Sequence, residues 1–362
     1  MAPPRFLING RFLAKPYTGV TRVGRELLNA LTQELAERDA WRGRFALAAP
    51  DGADFGPAGR EAIAQVMAIT TGPGSIPAEQ LAMPFSAGGD VVVSFCNVTP
   101  LLALRSIIWI HDAHIFEAPE TYGAAYRAWH TLMLRGSGLR GFRIVTVSDY
   151  SRDALIRVGA PAQRIAVISN GGDHILREHP DHAGADALGL GAGPFVLVMG
   201  SPAKHKNAPF AVRALLAGLP EAVKIAVVGL HQAGAYVGEQ AMPQDARIAL
   251  LPRITDGVLH ALYQRAACVV VPSLLEGFGL PAAETLWAGG VLAIADATAL
   301  PEVGGDAALR FDPRDAADIA AKTREAMTPA IAARLRAAAV TQRERFAWRR
   351  AARDLLALCE TF

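Results

Sequence analysis

Eleven short apolar runs, set between longer amphipathic stretches, constrain this chain more than any other feature. In the first half they are RFLING (5–10), FALAA (45–49), DVVVSF (90–95), SIIWIHD (106–112), RIVTVS (143–148) and RIAVIS (164–169). In the second half they are PFVLVMG (194–200), KIAVVG (224–229), RIALLP (247–252), CVVVPS (268–273) and VLAIAD (291–296). Runs rich in Val and Ile, apolar at consecutive positions, suit parallel strands buried on both faces. The stretches between them carry helical spacing; in 20–35, Val20, Val23, Leu27, Leu28, Leu31 and Leu35 fall on one face. This alternation predicts a doubly wound α/β architecture. The rhythm breaks at 173–193, DHILREHPDHAGADALGLGAG, a polar stretch without an apolar run. It reads as a linker between two Rossmann-like domains, and 362 residues accommodate two at about 100–200 residues each.

Composition removes several function classes. The chain is 51% hydrophobic and 19% charged, enough to build large cores. A net charge of +2 argues against a dedicated nucleic-acid binder, so no nucleic-acid partner is expected. Cys96, Cys268 and Cys359 are far apart, form no metal-ligand pattern and suit a reducing cytosol. The start, MAPPRFLING, lacks a charged region followed by a long apolar run, and no stretch reaches the length of a spanning helix. A cytoplasmic protein is expected. GLGAG (189–193) imitates a dinucleotide-binding glycine pattern, but it precedes a strand instead of following one. A two-domain NAD-dependent dehydrogenase therefore lacks its motif here.

The chemistry concentrates in PSLLEGFGLPAAETLWAGG (272–290). A strand ends near Ser273, the chain turns on Gly277 and Gly279, and a helix begins near Pro281. Open parallel sheets bind ligands outside the carboxyl ends of their strands. Glycines let backbone amides approach a ligand, and the following helix aims its dipole and free N–H groups at an anion. Glu284 in that helix and Glu276 before the turn can each accept hydrogen bonds from sugar hydroxyls. The pattern suits a phosphorylated, hydroxyl-rich ligand such as a nucleotide sugar; a strand–helix turn with two solvated glutamates is the plainer reading of the spacing alone. GSPAKHKN (200–207) places cations after a strand, where they can neutralise a diphosphate. His111 in HDAH (111–114) ends another strand, and Gly19 in TGVTR (18–22) opens a helix.

With those residues in view, EGFGLPAAE resembles the E-x7-E motif of retaining glycosyltransferases of family 4, which have the GT-B architecture. The resemblance extends over 259–313 and, in the first half, over TGVTRVGRELLNAL, HDAHIFEAPETY, VTVSDYSRDAL and RIAVISNGGD. It implies two Rossmann-like doubly wound domains facing a central cleft. These would be an acceptor-side domain at 1–175, a nucleotide-sugar-binding domain at 190–342, and a last helix, 343–362, crossing back to the first domain.

Residue roles follow from the resemblance. Glu284 would bind the nucleotide ribose and Glu276 the donor sugar's hydroxyls, with the amides of Gly277, Phe278, Gly279 and Leu280 along the sugar and diphosphate. Lys206, before Asn207, matches the family's phosphate-binding lysine; the family usually adds an arginine a few residues earlier, where this chain has Ser201, Lys204 and His205, and Lys204 is the candidate for the second cation. His111 would contact the donor sugar near the reacting carbon, Gly19 would let the backbone approach the diphosphate or acceptor, and Arg253 would meet the base. Catalysis would rest on His111, Lys206 and Glu276, without a metal and without a cofactor beyond the nucleotide-sugar co-substrate.

The expected activity is retaining hexosyl transfer, first mannose from GDP-mannose, to a lipid-linked or polysaccharide acceptor in bacterial glycan assembly. A UDP- or dTDP-sugar donor, or a non-catalytic nucleotide-sugar-binding scaffold, are the alternatives. Residues 121–164 hold seven arginines among Trp129, Leu132, Met133, Leu134 and Phe142. That mixture suits an anionic membrane surface and a peripheral location on the inner face of the plasma membrane.

Overall fold

A computed structural model describes residues 5–50, 53, 76–191, 193–201, 203–229 and 242–362, with the backbone of 67–70. Ala192 of GLGAG and Pro202 of GSPAKHKN lie outside the described residues, as does most of 51–75. The chain divides into two compact units. The first comprises Met1–Ala113, Ala124–Asn170 and Trp348–Phe362; the second comprises His114–Gly123 and Gly171–Ala347.

The first unit is built on seven parallel strands: β1 (Phe6–Asn9), β2 (Phe45–Ala49), β3 (Met67–Thr70), β4 (Val91–Ser94), β5 (Arg105–Trp109), β6 (Arg143–Thr146) and β7 (Ile165–Val167). Their order is β3-β2-β1-β4-β5-β6-β7. In register, Leu7 of β1 faces Ala46 of β2 on one side and Val92 of β4 on the other. Phe6, Leu7 and Ile8 are buried, as expected of a strand covered on both faces. The helix Gly19–Ala36 is started by Thr18, whose hydroxyl and backbone exchange hydrogen bonds with Thr21 in a capping box. It buries Val23, Leu27, Leu28, Leu31 and Leu35. The last helix, Trp348–Cys359, belongs to this unit and lies along it. Glu34, 1% exposed, accepts from Arg349 Nε at 2.7 Å and from Arg353 Nε at 3.1 Å.

The second unit repeats the plan with β8 (Phe195–Met199), β9 (Lys224–Val228), β10 (Ile248–Leu250), β11 (Cys268–Val271), β12 (Leu292–Ala295) and β13 (Ala308–Phe311). All pairings are parallel, and the order is β10-β9-β8-β11-β12-β13. Both sheets thus reverse their winding direction beside their first strand, between β1 and β4 and between β8 and β11.

Two findings differ from the reading of the sequence. Strands β3 and β13 match none of the apolar runs singled out in the sequence; ALRF in β13 carries a partly exposed centre. The stretch 173–193 is not an extended linker. It forms a turn at Asp173–Leu176 and a helix at His182–Asp186, both within the second unit. It is polar because it packs through hydrogen bonds: Glu178 Oε2 accepts from Gly257 N at 2.8 Å, and Asp181 N donates to Gly257 O at 2.9 Å.

Candidate active site

In a doubly wound sheet the ligand crevice opens at the carboxyl ends of the strands flanking the reversal. In the second unit those are β8 and β11, and their loops carry Lys206 and Glu276. Asn207 fastens the β8 loop: its backbone is left-handed (φ 59°), and its Nδ2 donates to Pro272 O at 3.3 Å and Pro313 O at 2.8 Å. Leu274 N also donates to His205 O at 2.7 Å, so the two loops are tied at backbone level. Lys206 Nζ then reaches Glu276 Oε1 at 2.7 Å, and Ser273 Oγ donates to the same oxygen at 2.8 Å. Burial alone would raise the Glu276 carboxyl; the Lys206 charge and hydrogen bond, the Ser273 hydroxyl and the nearby His114 outweigh it and hold it below its ordinary value.

Glu276 is also fixed through its backbone. Its N–H donates to Thr298 Oγ1 at 3.0 Å. Thr298 adopts φ 54°, a left-handed conformation that a β-branched residue rarely takes. Such strain persists where surrounding structure imposes it, commonly at functional sites.

Glu284 sits in the helix Leu280–Ala288, which starts after Gly279. Gly279 has φ 100°, a backbone conformation that favours glycine. The Glu284 carboxylate is buried and held on both oxygens: His174 Nε2 lies 3.0 Å from Oε1, and Tyr263 Oη donates to Oε2 at 2.7 Å. His174 reaches Glu284 because Gly172 presses on the helix; a Cβ at Gly172 would lie 2.5 Å from Ala283 C and 2.8 Å from Glu284 N.

The other residues singled out in the sequence have different surroundings. Lys204 and Arg253 are exposed, and the ring of Phe278 packs edge-on against Phe346 at 5.5 Å. Leu280 is the first residue of the Glu284 helix and Gly277 precedes it in the turn. His205, rather than Lys204, turns inward beside Lys206; it is 7% exposed.

His111 and Gly19 belong to the first unit. His111 follows β5 and is buried. Its amide donates to Asn97 Oδ1 at 2.9 Å, and its Nε2 lies 2.7 Å from Phe95 O. A carbonyl only accepts, so Nε2 carries the proton of a neutral ring. Burial lowers the His111 pKa, against the opposing pull of the Phe95 carbonyl and Asp112. Gly19 is the exposed first residue of the helix capped by Thr18.

Four residues that complete the site were not singled out by sequence reasoning: Ser273, Thr298, Tyr263 and His174. Ser273 lies within the same motif, three positions before Glu276, where it reads as a strand end. The other three come from separate elements. Among the described residues no group of three or more His, Cys, Asp or Glu side chains is arranged to hold a metal.

Residues 193–328 match the model of the family described as Glycosyl transferases group 1. The O-antigen chain mannosyltransferase B of Escherichia coli is 31% identical over 231 residues, 60% of this chain and 60% of that protein. The serotype-specific mannosyltransferase WbdA of Escherichia coli is 29% identical over 214 residues, 57% of this chain and 26% of that one. The chain therefore spans less than two thirds of these relatives' length. Among solved structures, Anabaena HepE in complex with UDP and glucose superposes with a TM-score of 0.72 at 15% identity, covering 99% of this chain and 100% of that one. Sucrose-phosphate synthase from Thermosynechococcus elongatus gives 0.67 at 16% identity, covering 99% and 98%. At such identities these likenesses establish the fold, two Rossmann-like domains of GT-B type.

Proposed function

We propose that this chain, whose residues 193–328 match the glycosyl transferases group 1 family model, is a retaining, metal-independent hexosyltransferase. It moves mannose from GDP-mannose to a lipid-linked or polysaccharide acceptor in bacterial glycan assembly. The observation that carries this reading is the Lys206–Glu276–Ser273 cluster at the β8/β11 reversal, with the anchored Glu284 on the next helix. Mannose is preferred because the relatives at 29–31% identity are named as mannosyltransferases.

Glu284 accepts ribose hydroxyls, Glu276 accepts from the sugar, and Lys206 faces the diphosphate. As the bond between C1 and the phosphate oxygen breaks, Lys206 and the N-terminus of the Glu284 helix stabilise the charge gathering on the leaving group. The acceptor hydroxyl bonds to C1 on the face the diphosphate leaves, and its proton passes to the departing phosphate oxygen. No covalent enzyme intermediate is involved.

Incubation with GDP-mannose, UDP-glucose and dTDP-glucose, with EDTA present, tests the donor and the metal together. Release of GDP with an α-mannosyl product is expected. Turnover of UDP-glucose alone would replace the donor, a reading that the UDP-bound HepE structure favours by fold. Binding without turnover of any donor would favour a scaffold.

Membrane contact at 121–164 belongs to the same proposal. Among the described residues no helix is long and apolar enough to cross a membrane. The helix Ala124–Leu139 buries Met133 and Leu134 but leaves Tyr126, Leu132 and Leu139 exposed, beside exposed Arg135 and Arg140. Such a surface inserts leucines while arginines meet anionic headgroups at an inner membrane face. Flotation with phosphatidylglycerol vesicles, lost with Leu139→Glu, is the expected result; no flotation of the unaltered chain would remove the membrane from the proposal.

A further inference from the structure

Of the two lysines that the sequence suggested, Lys204 is exposed. Lys206 stands beside Glu276 and is paired with it. Two imidazoles stand beside that pair. His205 follows Lys204 in the same turn and is 7% exposed. His114, 6% exposed, opens the short helix His114–Glu117 of the second unit. The two rings are 5.4 Å apart between centroids and tilted by 56°. His114 is also close enough to Glu276 to pull its carboxyl pKa down.

We propose that His114 is a further donor-contacting residue, hydrogen-bonding a phosphate oxygen of the nucleotide-sugar donor, with His205 as the residue that positions its ring. The inference rests on the nucleotide-sugar reading of this site. A ring N–H supplies a hydrogen-bond donor beside the Lys206–Glu276 pair. A His114 contact to a phosphate oxygen should therefore strengthen binding of a nucleoside diphosphate and leave binding of the bare nucleoside unaffected.

Calorimetry on the full chain with GDP and with guanosine reads this directly. The unaltered protein is expected to bind GDP more tightly than guanosine. His114→Gln should weaken GDP by about 10- to 100-fold, the size of a hydrogen bond to a charged group. It should leave guanosine affinity unchanged. His205→Gln should give a smaller loss of the same kind. Guanosine affinity serves as the internal measure that a variant is folded. Unchanged GDP binding in His114→Gln, or equal losses for GDP and guanosine, would overturn the assignment while leaving the nucleotide-sugar reading intact. Failure of the unaltered chain to bind any nucleoside diphosphate would overturn both.

Discussion

One oxygen of Glu276 receives both Lys206 Nζ and Ser273 Oγ, so the lysine and the carboxylate hold each other in place before any ligand arrives. Lys206→Ala removes the main group that keeps this buried carboxyl ionised. Turnover is expected to fall by about 10²–10³-fold, the scale of losing one preorganised charge-stabilising group, as read by release of nucleoside diphosphate. A loss below tenfold would remove Lys206 from the phosphate site. His111 supplies a prediction of a different sign. Its folded pKa lies below the ordinary 6.5 because burial disfavours the charged ring. The unfolded chain therefore takes the proton first. The contribution is complete above about pH 6.5 and declines as the pH drops from there towards the folded value, below which it changes no further. Thermal melts of the unaltered chain and His111→Gln across this range should converge on acidification; parallel curves would mean that the ring titrates alike in both states. At this scale the sequence singled out the two glutamates and Lys206, through the strand–turn–helix pattern and the family resemblance. Their partners were not: Tyr263 comes from the preceding helix, Thr298 from the loop after β12, and His174 from a polar stretch, and only the fold gathers them.

The helix carrying Glu284 is aimed by its neighbours as much as by its own sequence. Gly172 lets the turn that bears His174 touch the backbone at Ala283 and Glu284. Gly172→Ala would force that backbone contact apart and separate His174 from Glu284. The expected result is weakened guanosine binding, because the ribose contact is displaced, at a stability cost of about 1–3 kcal/mol for overpacking. Unchanged guanosine affinity would show that His174 does not orient Glu284 for the ligand. A second element-level contact is the clamp of Glu34 by Arg349 and Arg353. Burial would raise the Glu34 carboxyl, but the two guanidinium groups outweigh it and leave its pKa lowered. Replacing either arginine by alanine leaves the other in place and should cost about 1 kcal/mol. Replacing both leaves the buried carboxylate with Arg38 alone, whose Nε lies 3.2 Å from Oε2, and should cost more than the sum of the single losses. Additive losses in denaturant melts would contradict a shared carboxylate. The central strands were readable because burial on both faces makes them continuously apolar. Of the strands without a run singled out in the sequence, β13 has a partly exposed centre, and 173–193 was misread because its packing is polar.

At the scale of the whole molecule, two sheets share one winding order, and the chain returns at its end to the unit in which it began. The last helix buries Ala351, Ala352, Leu355, Leu356 and Cys359 in the first unit, and Phe362 sets its ring edge-on to Phe6 of β1 at 6.4 Å. This arrangement is invisible to a reading by sequence distance, since Ala347 belongs to the second unit and Trp348 to the first. It makes a prediction that distance along the chain would get backwards. Leu355 is fully buried, so Leu355→Ala should cost about 2–5 kcal/mol. Hydrogen exchange should report that loss in β1, β2 and β4, several hundred residues upstream, and in the helix Gly19–Ala36. Strands β8, β11 and β12, closer in sequence, draw their core from their own sheet and the helices of the second unit, so their protection should hold. Faster exchange in β8 and β11 with β1 unchanged would mean that the terminal helix stabilises the unit it follows in sequence, and that Trp348–Phe362 does not belong with the first sheet.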